Sequence, residues 1–153
     1  MNNQKELYRL NISRLDIKQA LDFLEAAARH DRTSIEYEGL IVSAIIHYAR
    51  PFSNNEKNPA ANALARVPES VIEGYSPDEL MLHNRLIDRR NKAIAHAEWN
   101  EFPTTVDEET KALSSTRYSI YPEFLDPLPL IALAKTVLAR LHNMVADHIF
   151  KMP

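Results

Sequence analysis

Apolar residues recur every three or four positions along most of this chain, the period of helices that bury one face. From about Ser13 to His30, Ile17, Leu21, Leu24 and Ala28 form a stripe with Ala20, Phe23 and Ala27 beside it, predicting a first helix. A second is expected to open on the capping box Thr33-Ser34-Ile35-Glu36 and to bury Leu40, Ile41, Ala44, Ile45 and Tyr48. Arg50-Pro51 should stop it, because a residue before proline disfavours helical backbone. The third has the clearest start in the chain, with Ser76 at the N-cap, Pro77 at N1 and Glu79 at N3. It is expected to run to roughly His96 or Ala97. The last spans about Leu130 to Phe150, with Ala134, Val137, Leu138, Leu141, Val145 and Ile149 on its buried stripe.

Between these helices lie two irregular stretches. Pro51 to Tyr75 is rich in Asn and Pro and reads as a long connection, with a short helix inside it over Asn58 to Ala65. Glu98 to Pro129 is broken by Pro103, Pro122, Pro127 and Pro129. Within it, Arg117 to Tyr121 is a short strand candidate that would pair with Glu101 to Val106. The fold expected is therefore all-α: a single domain over 1–153, a four- to five-helix bundle, with a long irregular or short β-hairpin segment before the last helix.

Composition removes several chemistries. The absence of cysteine excludes disulfides, thiolate nucleophiles and Cys-held zinc or iron–sulfur sites. With glycine only at 39 and 74, no Gly-rich loop can cradle a dinucleotide or triphosphate, so no cofactor is expected. The polar N-terminus is followed by no signal-like apolar segment, and the apolar runs fall short of the roughly 18 residues of a membrane span. A cytoplasmic location without membrane contact is the expectation. The net charge of −3 argues against a general nucleic-acid coat protein and leaves room for a local site.

One charge looks misplaced. On a helical wheel of the third helix, Leu80, Leu82, Leu86, Ile87, Ala93, Ile94 and Ala97 cover one broad face. Arg90 falls near its middle, with His83 two turns earlier, while Arg85, Arg89, Lys92 and His96 lean to the polar side. A guanidinium keeps its proton, so burial without a partner is costly. Three receivers are open: an internal carboxylate such as Asp22 or Asp147, carbonyls at a helix end, or an anionic ligand in a cleft. His96 itself is either a last-turn histidine facing exposed carbonyls, a core histidine, or an acid–base group.

The string Arg90-Asn91-Lys92-Ala93-Ile94-Ala95-His96 resembles the signature of the HEPN superfamily. That signature is an arginine, usually followed by a polar residue, then a histidine with four to six residues between it and the arginine, near the end of a helix in a small α-bundle. The resemblance implies a HEPN-like fold and a homodimer with both motifs at one cleft. It further implies a metal-independent endoribonuclease that leaves a 2′,3′-cyclic phosphate, in a defence, toxin–antitoxin or RNA-processing setting. His96 would then move protons, Arg90 would stabilise the phosphorane, and Asn91 would orient either. Arg85, Arg89, Lys92 and His83 would contact RNA, and an antitoxin or another protein would be a partner. A second reading is a non-catalytic dimeric module that binds nucleotide, RNA or protein. A third is an unrelated helical protein whose Arg90 is simply ion-paired. Glu98 stands where toxin members often carry tyrosine, and Glu101 adds negative charge nearby. Arg89 also fits the spacing, with Arg90 preferred because Asn91 follows it.

The remaining candidates read more simply as structure. His142 and His148 are six apart, not the i, i+4 spacing that puts two histidines on one metal, so no metal site is expected. His47 reads as a polar residue at the bundle's edge. Trp99, Phe102, Tyr118 and Tyr121 either stack bases or, preferably, cover the end of the bundle. Asp107-Glu108-Glu109 reads as a solvated turn. Arg50 to Asn55 reads as a helix stop and plain connection, the alternative being that it packs near the motif.

Overall fold

Residues 2–54, 63–94, 104–115, 120 and 123–151 are described in the computed structural model. They form four α-helices, α1 (Asn2–Ala27), α2 (Ile35–Ala49), α3 (Pro77–Arg89) and α4 (Leu128–Phe150). A two-stranded antiparallel hairpin, β1 (Thr104–Val106) with β2 (Leu113–Ser115), precedes α4 and pairs Thr105 with Ser114. The chain is thus a mostly helical bundle with a small hairpin before its last helix.

The core follows from the helical periodicity. Leu10, Ile17, Leu24, Ile41, Ile45, Leu133 and Leu141 are among its most completely buried side chains. α1 packs along both α2 and α4, and α3 lies across α2 and α4 at one side. Burial of such apolar side chains contributes roughly 1.5–3 kcal/mol each. α4 has the length and apolar content that a membrane span also shows, and here its stripe Leu130, Leu133, Ala134, Val137, Leu141 and Val145 is buried.

Several boundaries differ from the sequence expectation, each for a local reason. α1 begins at Asn2 rather than near Ser13, because Leu10 extends the buried stripe and Arg9 is accommodated within it. The N-cap of α2 is Ser34, whose hydroxyl accepts from Tyr37 N at 3.1 Å, while Thr33 bonds Asp31 instead. β1 pairs with Leu113–Ser115; of the 117–121 run expected to pair there, only Ile120 lies within the described residues, and it is buried outside any strand. Ile149, expected on the buried stripe of α4, is exposed near the helix end. The short helix expected over 58–65 falls partly on 58–62, outside the described residues, and 63–65 are not helical.

Other features follow the pattern closely. Pro51 ends α2 and opens a 3₁₀ turn, Arg50–Phe52. Ser76 and Glu79 form both halves of the capping box of α3, and the bond from Ser76 N holds the Glu79 carboxyl below its usual range. The connections are pinned by side chains. Tyr37 Oη donates to the carbonyls of Phe124 and Leu125 (2.7 and 3.1 Å). Arg140 donates to the carbonyls of Val71 and Glu73 (3.0 and 2.7 Å) and lies 4.7 Å over the Tyr75 ring.

Candidate functional site

α3 does not continue as an α-helix through the motif. It ends at Arg89, and Arg90–Ile94 form a π-helical turn. Wider i→i+5 turns of this kind are uncommon and concentrate at functional sites. Arg90 stands at the junction, its N–H still bonded to the carbonyls of Leu86 and Ile87. Its guanidinium donates to Asn91 Oδ1 at 2.9 Å, and among the described residues no carboxylate pairs with it. Of the two acids considered as receivers, Asp22 is bonded to Lys18 at 2.6 Å and Asp147 is not paired with Arg90.

Arg90 instead opens on a polar groove of about 310 Å³, shared with Phe52, Ser53, Asn54, Arg66, Ile87 and Asn91. The stretch after α2 therefore packs at the motif, which corrects the reading of Arg50 to Asn55 as a plain connection. Arg66 brings a second guanidinium from the long connection, loosely paired with the exposed Glu69 at 3.5 Å. Backbone bonds fix the segment that carries it. Val67 N donates to Pro51 O at 2.9 Å and Leu64 N to Lys5 O at 3.3 Å. The Arg9 side chain, only 6% exposed, donates to Leu64 O. Sequence reasoning missed Arg66 and Arg9. Arg9 did carry a signal, since it precedes Ser13 and Ile17 at four-residue intervals on a buried face.

The other motif-helix residues separate. Arg89 is paired with Glu123 at 3.0 Å and Lys92 with Asp88 at 2.7 Å, so neither adds free positive charge to the groove. Arg85 lines a different, larger cleft of about 540 Å³ between the first turns of α3 and α4. Its walls are apolar (Met81, Leu82, Leu130, Leu133) and its rim carries Asp78, Glu79, Glu123 and Asp126, which suits no polyanion. His83 is turned inward. It is 5% exposed, shares a 2.9 Å hydrogen bond with Tyr48 Oη, and packs edge-on against Phe52, Tyr48 and Tyr75. Burial lowers its pKa to about 4, so the ring is neutral and is no phosphate-binding cation. His83 packs edge-on against Phe52 instead.

His96 lies outside the described residues, as do Trp99, Phe102, Tyr118, Tyr121, Glu98 and Glu101. His47 meets Asp16 (3.5 Å) and Arg50 (3.2 Å); burial and then the Arg50 charge lower its pKa, against the pull of Asp16. His148 is bonded to the Met144 carbonyl at 2.9 Å, and Asp107 caps the hairpin turn by accepting from Glu109 N and Thr110 N. No three potential ligands gather as a metal site among the described residues.

Chemically, the groove presents two guanidiniums, two amides and one hydroxyl around a half-open space. Such donors match a phosphate or carboxylate oxygen, arginine especially through paired bonds. No family model matches the chain, and neither a curated protein nor a solved structure matches it.

Proposed function

We propose that this chain is a HEPN-like domain that binds RNA through the Arg90 groove, with metal-independent cleavage as the activity its motif implies. The observation that supports the reading is the setting of Arg90. This arginine, without a carboxylate partner among the described residues, shares an open polar groove with Arg66 and Asn91 at a π-helical turn. Placing a phosphodiester there would satisfy both guanidiniums. The pairing of Arg89 with Glu123 favours Arg90 as the motif arginine.

Cleavage adds one requirement, that His96 reach the same phosphate. In that reaction His96 takes the proton from the 2′-hydroxyl and the O2′–P bond forms. The P–O5′ bond then breaks, and the leaving oxygen takes a proton from water, giving a 2′,3′-cyclic phosphate. Arg90 neutralises charge gathered on the non-bridging oxygens, the step at which fixed donors act most strongly. Without His96 in reach, the same groove serves a binding module. A homodimer would bring two grooves to one strand, and an antitoxin or other protein would cover them.

One assay separates the two. Purified protein is incubated with single-stranded RNA and a chelator, beside Arg90→Ala and His96→Ala. Retained binding with loss of cyclic-phosphate ends in His96→Ala is expected for the nuclease, and binding without cleavage in all forms for the module. RNA affinity unchanged in Arg90→Ala removes the groove from either.

A further inference from the structure

The Arg90 groove does not end at its two arginines. Through Phe52, Arg66 and Ile87 it continues into a second depression of about 190 Å³ between the Val67–Ile72 segment and α3. The lining changes character along this path. The Arg90 end carries hydroxyl, amide and guanidinium groups, whereas the far end mixes the apolar Val67, Pro68 and Ile72 with Glu69, His83 and Asn84. A cationic end that opens into a mixed depression with an aromatic ring at the join matches a nucleotide, with its phosphate at one end and its base at the other.

Phe52 sits at the join, and its ring is held by its aromatic neighbours. His83 meets it edge-on at 4.6 Å and 84°, and Tyr48 packs at 5.6 Å. Both neighbours are buried, so the ring is fixed before any ligand arrives. A preset aromatic face beside a phosphate site is what base stacking requires. At the rim of the depression stand Glu69 and Asn84. The Glu69 side chain is 86% exposed and 3.5 Å from Arg66, so reading a base there requires it to leave that pairing and turn inward. A carboxylate accepts only, and it matches adjacent donors on one edge, while an amide supplies N–H to a neighbouring carbonyl. Among the four RNA bases, guanine offers that set: N1–H and N2–H for the carboxylate, O6 for the amide. Adenine and cytosine put an acceptor where the carboxylate needs a donor, and uracil has a single N–H.

We propose that this depression is a guanine-selective base subsite for the nucleotide whose phosphate lies at Arg90 and Arg66, an inference that rests on the RNA-binding reading above. Phe52 stacks the base, and Glu69 and Asn84 read its edge.

The test uses fluorescein-labelled RNA hexamers, UUUGUU, UUUAUU, UUUUUU and UUU-abasic-UU, titrated with the full chain at low salt and read by anisotropy. The guanine strand is expected to bind about tenfold more tightly than the abasic strand and several-fold more tightly than the adenine strand, which keeps the stacking on Phe52 but not the edge hydrogen bonds. Glu69→Gln should bring guanine and adenine to within about twofold of each other. Phe52→Leu, which keeps an apolar side chain in the core, should lower the guanine strand to the abasic level. Equal affinity for all four strands, lost in Arg90→Ala, overturns the base subsite and leaves the phosphate groove standing. A guanine preference that survives Glu69→Gln overturns the assignment of Glu69. If no hexamer binds, both the groove and its subsite are withdrawn.

Discussion

Arg90 and His83 lie on one face of the same helix and behave as opposites, because one keeps its charge and the other sheds it. His83 is sealed in an aromatic cluster with its pKa held to about 4, against an ordinary 6.5. Protonation therefore favours the unfolded chain, and the stability this neutral ring permits is present above pH 6.5. It is lost as the pH falls from 6.5 towards 4, by about 1.4 kcal/mol per pH unit at its steepest. Urea midpoints measured between pH 7 and 4.5 should show that loss, and His83→Gln should flatten it. A wild-type midpoint that stays level across the range would mean that the ring is charged in the folded protein. For Arg90 the comparison that matters is Arg90→Lys. Lysine keeps the charge and loses the planar fork, so RNA affinity should fall several-fold in the lysine variant and further in Arg90→Ala. Both variants should melt within about 1 kcal/mol of wild type, since a half-exposed arginine bonded only to its neighbour contributes little to the fold.

At the scale of elements, α3 delivers the site, and its N-cap sets where it begins. Ser76→Ala removes one half of the capping box and should cost about 1 kcal/mol in a denaturant titration, with Ser76→Asp largely restoring it. This start was legible in the sequence because Ser, Pro and Glu at fixed offsets are a local signal. The other end of α3 was not. A wheel at constant rotation assumes regular i→i+4 bonding, and it put Arg90 in the middle of an apolar face. Arg90 keeps that direction, its N–H still bonded to the Leu86 carbonyl, but the face it shares with Ile87 opens on a groove there rather than on a packed core, and the π turn redirects only the residues that follow. The opposite wall of that groove was illegible for a different reason. Arg66 arrives through bonds from Pro51, Lys5 and Arg9, partners up to about sixty positions away in sequence, and no local pattern encodes such pairings. The start of α1 was missed although Leu10 and Ile17 keep the period, because Arg9 disguises the stripe it sits on.

For the whole molecule the question is how a chain with a net charge of −3 would hold a polyanion. Several of its cations already have partners. Arg89, Lys92, Lys18 and Lys135 face carboxylates, and Arg9 and Arg140 are bonded to backbone carbonyls. The larger cleft is acid-rimmed and repels phosphate. Within the groove, attraction comes from Arg66 and Arg90, and the net negative charge makes long-range steering work against encounter rather than for it. Salt dependence expresses this directly. Each phosphate neutralised on a single strand contributes about −0.7 to the slope of log K against log salt, so one or two contacts give between about −0.7 and −1.4. The double variant Arg66→Ala/Arg90→Ala should bring the slope close to zero. If two copies share one strand across paired grooves, the slope doubles and light scattering shows a dimer at the concentrations of the assay. A slope steeper than about −4 would require cations that this groove does not contain, and binding would have to be sought on another face.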